Sequence, residues 1–330
     1  MLADEPPGRV RIRRRIATTR EPENSPCRRI GAGLSNWYLR VPRTKMGETT
    51  VTSSRWITLA ALALTCSTPA MAKDWKTVSV AMEGSYAPWN QTDASGKIVG
   101  FEVDILNDVC ARAKLECNIV AQDWDGVIPG LTAGKFDIVM DGMSITEERM
   151  KTIDFSIPYA SSPVAFLADK NGPLASLSNK GKMIDLSKDD AESKAALDTL
   201  RKELTGKNVG LQVSTTEATF ADKYLKDVAN VHEYKTTDEH DLDLMAGRID
   251  VAFADTTYFL GTLAKPDAKD LEFVGPQFKG GPILGPGIGA AFRKTDKDLQ
   301  DIYNKALKAA LDDGSVSKYS LQWFKIDITK

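Results

Sequence analysis

The chain has 330 residues, of which 42% are hydrophobic and 27% charged. That length holds about two domains with buried cores, and that balance excludes a disordered, collagen-like or polytopic membrane chain. The net charge of −2 hides an asymmetry: residues 1–72 hold 12 of the 43 Lys and Arg but 5 of the 45 Asp and Glu, leaving 31 basic against 40 acidic side chains elsewhere. A nucleic-acid binder carries its basic excess on the folded body, so nucleic acid is not an expected partner.

Residues 1–45 are Arg-rich and patternless, and read as a non-native or upstream extension before a start at Met46. Residues 46–72 read as a secretory signal peptide. Arg55 precedes the apolar run Trp56–Leu64, and the segment ends Ala70-Met-Ala72. The run is too short to span a bilayer. Cys66 does not make a lipoprotein box, because Ala63-Leu64-Thr65 lacks the small residue needed before the cysteine. A soluble periplasmic protein is expected.

After cleavage Cys110 and Cys117 are the remaining cysteines. In an oxidising compartment they read as one local disulfide, with two buried thiols as the alternative. Only His232 and His240 could complete a zinc site, so no metal and no cofactor is expected.

Strand-like runs follow at Val78–Met82, Asn118–Ala121, Ile138–Met140, Val164–Ala168, Val209–Gln212, Val231–Tyr234, Val251–Ala254, Phe273–Val274 and Ile288–Phe292. Helical spacing lies between them, at Ile105 to Ala113, over residues 190–204, and from Leu299 to Leu311 with Thr295 as N-cap and Gly314 past the end. Repeated alternation of this kind predicts an α/β fold with mostly parallel sheets. Such sheets bind ligands at the carboxyl ends of their strands.

Two helix starts carry the most chemistry. Ser144-Ile-Thr-Glu147 and Ser214-Thr-Thr-Glu217 both follow strand ends with capping-box spacing. A helix N-terminus offers free N–H groups and suits a carboxylate. Arg149, in the first turn after Ser144, opposes the dipole unless it meets an anion, which it could grip bidentately; the alternative is an Arg facing solvent. Asp255 ends a strand, where it suits a ligand ammonium or caps the next helix. Tyr86 and Trp124 suit a ligand stem or the core. Gly285-Pro-Gly287-Ile-Gly289 lacks dinucleotide-binding spacing, and no P-loop, His-Glu-x-x-His or Gly-x-Ser-x-Gly motif occurs.

From Val78 to Phe324 the chain resembles the periplasmic solute-binding proteins of family 3, which feed polar amino acids to ABC importers. The resemblance rests on Glu83-Gly-Ser-Tyr-Ala-Pro88, Gly100-Phe-Glu-Val-Asp104-Ile, Asp123-Trp-Asp-Gly-Val-Ile-Pro-Gly-Leu-Thr-Ala-Gly134, Ser144-Ile-Thr-Glu-Glu-Arg149, Asp154-Phe-Ser-Ile-Pro-Tyr159 and Ala246-Gly-Arg-Ile-Asp250. The cysteine spacing is similar to that of lysine/arginine/ornithine- and histidine-binding members. The 174–206 insert, Glu233-Tyr-Lys-Thr236 and Trp323-Phe-Lys-Ile-Asp327 look more like nopaline- and octopine-binding members.

The resemblance implies the two-lobe periplasmic binding protein fold of type II, its lobes joined by two crossing strands. Residues 73–162 and 275–330 would form lobe one and 163–274 lobe two. It implies a monomeric binding protein, not an enzyme, that captures a basic or polar amino acid or related opine and hands it to an inner-membrane ABC permease. Arg149, Ser144 and Thr215 would hold the ligand carboxylate. Asp255 and the Gly142 carbonyl would hold its ammonium, Tyr86 and Trp124 would sandwich its side chain, and Glu83 would meet the distal end. Asp141 and Val213 depart from the family pattern. Asp141 adds a carboxylate that favours a cationic ligand, or caps the Ser144 helix instead. The rival function is a periplasmic dehydratase of prephenate or arogenate on the same fold.

The exported protein is expected to start at Lys73 with Cys110 and Cys117 bridged. Intact mass of periplasmic material checks both; two free thiols or a retained 1–45 segment would overturn this reading.

Overall fold

The structure, a computed structural model, describes residues 74–188 and 190–329. The expected signal peptide, its cleavage site and the 1–45 extension lie outside the described residues. Among the described residues no helix is long and apolar enough to cross a membrane.

Two sheets organise the chain. In the first, the strands run in the order Glu116–Ala121, Thr77–Met82, Ile138–Val139, Ala291–Arg293, Ile153–Phe155. In the second the order is Asn230–Tyr234, Asn208–Gln212, Val251–Asp255, Val164–Asp169, Leu271–Lys279, Met183–Asp185. Each sheet contains a parallel triplet in which the earliest strand is central. The chain therefore moves from the central strand to the neighbour on one side and then crosses to the other, and a crevice opens at the carboxyl end of the central strand.

The runs in Val164–Asp169 and Val251–Asp255 were legible because both faces of these strands are covered, giving continuous apolar stretches, whereas the edge strands Glu116–Ala121 and Asn230–Tyr234 are largely exposed. Short strands escaped the sequence reading: Ser85–Tyr86, Asn90–Thr92, Ile98–Val99, Ile153–Phe155 and Met183–Asp185. They are two or three residues long, too short to show a period. The second-lobe sheet also continues past the expected crossing at 274. Gln277, Phe278 and Lys279 pair with Met183, Ile184 and Asp185, a partner strand that periodicity did not reveal.

The chain passes between the sheets twice, and the two crossing segments meet. Tyr159 N–H donates to Ile288 O at 3.0 Å, and Ile288 N–H donates to Ala160 O at 2.8 Å. The expected strand Ile288–Phe292 is thus shortened to Ala291–Arg293, with Ile288 committed to the crossing.

Helix Phe101–Ala113 buries Ile105, Leu106 and Val109. Helix Lys297–Asp312 packs against it with Leu299, Tyr303, Ala306, Leu307 and Ala310 buried at helical spacing. Its N-cap position is Asp296, one residue beyond the expected Thr295, whose hydroxyl instead donates to Asp296 Oδ1 at 3.0 Å. Helix Ala191–Glu203 starts where Asp190 accepts from Ser193 N–H at 2.9 Å. The Cys110–Cys117 disulfide ties helix Phe101–Ala113 to strand Glu116–Ala121, with 6.3 Å between Cα atoms. In the second lobe, Phe166 stacks on Phe253 at 4.2 Å between centroids, and Phe220 bridges Phe253 and Phe278.

The glycine-rich segment discarded as a nucleotide motif has a packing role. Gly289 N–H donates to Met143 O at 3.1 Å and Ile145 N–H donates to Gly287 O at 2.8 Å. A Cβ on Gly285, which has φ +73°, would lie 1.8 Å from Ile145 O. Gly314, at φ +80°, has open space around it. Gly314→Ala should therefore cost only left-handed strain, about 1–2 kcal/mol. Gly285→Ala should cost more, because the crossing segment must move. Urea midpoints rank the two, and equal losses would contradict the packing role.

Candidate functional site

The carboxyl ends of the two parallel triplets supply the walls of one cavity. From the first sheet come Glu83 and Tyr86 after strand Thr77–Met82, Trp124 after strand Glu116–Ala121, and Asp141, Gly142, Ser144 and Arg149 after strand Ile138–Val139. From the second come Thr215 after strand Asn208–Gln212 and Asp255 ending strand Val251–Asp255. All nine sequence-expected residues line this cavity.

A buried polar network shapes the floor. Glu102 is fully buried and accepts from Gly142 N–H at 2.8 Å, from Asn90 Nδ2 at 2.9 Å and from the Tyr159 hydroxyl. Asn90 Nδ2 also donates to Asp141 Oδ1 at 2.8 Å, and Asn90 Oδ1 accepts from Gly84 N–H at 2.7 Å. Asp141 Oδ1 accepts in addition from Glu83 N–H at 3.1 Å, while its Oδ2 is buried without a hydrogen-bond partner.

Arg149 closes another wall. Its Nη1 donates to Ser144 O at 2.9 Å and its Nη2 reaches Ser214 O, on the second lobe, at 3.4 Å. The guanidinium carbon lies 5.3 Å from the Trp124 ring centroid, a cation–π arrangement. Tyr86 stacks on Tyr258 at 5.2 Å and 4°, and its hydroxyl donates to Asp255. One Tyr86 face is thus already covered. Asp255 occupies an N-cap position but makes no side-chain cap bond, so its carboxylate is not spent on the helix.

Burial dominates the electrostatics. It pushes Glu83 up to about 7, partly offset by hydrogen bonds from Gln212 and Ser85. Asp141 is raised by burial and then by Glu83 and Glu102. Asp255 is raised by burial and then by Glu217. Burial brings Arg149 down to about 10, opposed by Glu217 and Asp255. Each carboxylate is therefore held in a place that favours its neutral form until a cation arrives.

Both capping boxes are corrected. Thr146 caps the first helix, Glu147–Met150, and its hydroxyl accepts from Arg149 N–H at 3.2 Å. Ser144 cannot start it, because Ser144 is bridged to Ile288 in extended backbone. Asp141 accordingly caps no helix there. Thr215 caps the second helix, Thr216–Tyr224, accepting from Ala218 N–H at 3.1 Å, since Ser214 lies at φ +61°.

Sequence reasoning missed four polar lining residues: Gln212, Thr216, Glu217 and Thr237. Gln212 Nε2 donates to Glu83 Oε1 across the cleft at 2.9 Å. The spacing from Ser214 places Glu217 in a capping box, whereas it lines the cavity. Its position beside a strand's carboxyl end was the available signal. Val213, which departs from the family pattern, is not among the lining residues.

The family of bacterial extracellular solute-binding proteins, family 3, matches residues 78–326. The chain belongs to it. It is 36% identical over 272 residues to the octopine-binding periplasmic protein of Rhizobium meliloti, covering 77% of this chain and 92% of the relative. It is 32% identical over 273 residues to the L-arginine-binding protein of Pseudomonas aeruginosa, covering 82% and 96%. Among solved structures, an ancestral arginine-binding protein bound to arginine aligns with a TM-score of 0.63 at 30% identity, over 75% of this chain and 98% of that one.

A raised carboxyl pKa means that the folded protein binds more protons than the unfolded chain. Glu83 thus stabilises the fold below its unfolded value of 4.5, and that contribution is lost as pH rises through about 7. Glu83→Gln removes it. Between about pH 5 and 8 the variant should lose less stability than wild type, read from denaturant midpoints. Parallel pH profiles would contradict the burial of Glu83.

Proposed function

We propose that this family-3 protein is a periplasmic substrate-binding protein of an amino-acid ABC importer, capturing a basic or polar amino acid or related opine by lobe closure. The observation that carries the reading is a single cavity lined by Arg149 from one lobe and Asp255 from the other. A zwitterion needs one cation and one anion at that separation of roles, and neither side chain is consumed by an ion pair with the other.

In this reading Arg149 clamps the ligand carboxylate, with Ser144 and Thr215 beside it. Asp255 and the Gly142 carbonyl take the ammonium. Tyr86 and Trp124 flank the side chain, and Glu83 with Asp141 meets its distal cationic end. Closure draws support from contacts across the cleft: Gln212 to Glu83 at 2.9 Å, Lys235 to Asp123 at 2.5 Å, and the Tyr86 hydroxyl to Asp255. The leader 46–72 would deliver a monomer to the periplasm, where an inner-membrane permease receives the ligand. We divide the lobes at 73–162 with the segment after strand Leu271–Lys279, and 163–279. The curated relatives are binding proteins for octopine and arginine, which supports binding over dehydration.

Arg149→Ala would leave a buried ligand carboxylate without its counter-charge. Such losses cost about 2–5 kcal/mol, or roughly 30- to several-thousand-fold in affinity. Calorimetry with arginine, ornithine, lysine, glutamine, octopine and nopaline checks this. Unchanged affinity in the variant would remove Arg149 from the site, and no binding by any of these ligands would overturn the reading itself.

A further inference from the structure

The proposed amino-acid site has an imbalance of charge that bears on its ligand. Among the described residues lining the cavity there are four carboxylates, Glu83, Asp141, Glu217 and Asp255, against one cation, Arg149. In that reading Asp255 takes the ligand's ammonium and Glu83 with Asp141 its distal cation, which leaves Glu217. Asp141, 3% exposed, keeps Oδ2 without a hydrogen-bond partner. Glu217, 5% exposed, is steadied by the Thr216 hydroxyl at 2.9 Å. It lines the same cavity as Arg149 and Asp255, the two groups assigned to the ligand's α-end.

We propose that Glu217 makes this cleft selective for cationic amino acids with a free α-amino group, and against opines that carry a second carboxylate on that nitrogen. The inference rests on the solute-binding reading above and narrows it. An opine of the octopine type has a carboxyalkyl group on the α-nitrogen, so a secondary ammonium is flanked by two carboxylates. One guanidinium grips one carboxylate bidentately. With Arg149 occupied, the second carboxylate lies against Asp255 and Glu217, with no other cation among the described lining residues. Like charges brought together in an interface cost several kcal/mol. A free ammonium instead has three N–H donors, enough for Asp255, Glu217 and the Gly142 carbonyl; a secondary ammonium has two.

The test is calorimetry on the purified exported protein with arginine, ornithine, octopine and nopaline. Arginine or ornithine should bind at least about 100-fold more tightly than octopine, the ratio that a like-charge penalty of this size gives. Glu217→Gln keeps the shape and removes the charge, and should narrow that ratio about tenfold or more, with nopaline following octopine. Should that variant fail to fold, Glu217→Ala replaces it, and the wild-type ratio decides the selectivity by itself. Octopine bound as tightly as arginine overturns the proposal and leaves the solute-binding reading intact. An unchanged ratio in a folded Glu217 variant also overturns it, because the discrimination then lies elsewhere. No binding by any of the four overturns the solute-binding reading first.

Discussion

The fully buried Glu102 carboxylate holds the first lobe's half of the cleft together. It takes hydrogen bonds from the Gly142 amide, the Asn90 side chain and the Tyr159 hydroxyl. Those donors come from three different stretches of chain: the loop after strand Ile138–Val139, strand Asn90–Thr92 and the first crossing segment. A buried carboxylate with partners missing is costly, whereas a satisfied one fixes its neighbours. The network orders Asp141 through Asn90, and Asp141 in turn receives the Glu83 amide. The cleft floor and the entrance to the crossing are therefore one connected unit.

The second constraint is the shared topology of the two sheets. Each parallel triplet places its central strand first in sequence, so each presents an open crevice at its carboxyl end. Because the two crevices contribute to one cavity, a ligand there touches both lobes. Residues from one lobe supply the cation, and Asp255 and Glu217 from the other supply the facing carboxylates. The energetics of binding and of closure are thereby linked. A ligand that neutralises facing charges favours the arrangement in which both walls meet it.

Family membership and the cavity's charge pull the ligand reading in different directions. The octopine-binding relative is 36% identical to this chain, yet four lining carboxylates against one guanidinium suit a ligand richer in positive charge. Overall likeness reports the scaffold. Function lives in a site grafted on that scaffold, and the selectivity proposed above rests on one such side chain, Glu217, in the first turn of helix Thr216–Tyr224.

The sequence by itself determined the alternation of strands and helices, the cysteine pair and the nine lining residues. Apolar runs covered on both faces, amphipathic stripes and quoted motifs are local properties, and they survive in one dimension. The nine residues were found through motif resemblance, as spacing alone left Arg149, Asp255 and Tyr86 with structural alternatives. Only the tertiary structure decided where the helices begin, because Ser144 is held extended by Ile288 and Ser214 is turned left-handed, neither visible in capping-box spacing. It alone decided that Asp141 joins the floor, through Asn90, and that Glu217 lines the cavity instead of completing a cap. Burial and facing charge are set by residues far apart in the chain, so their effect on a carboxylate appears only once the lobes are folded against each other.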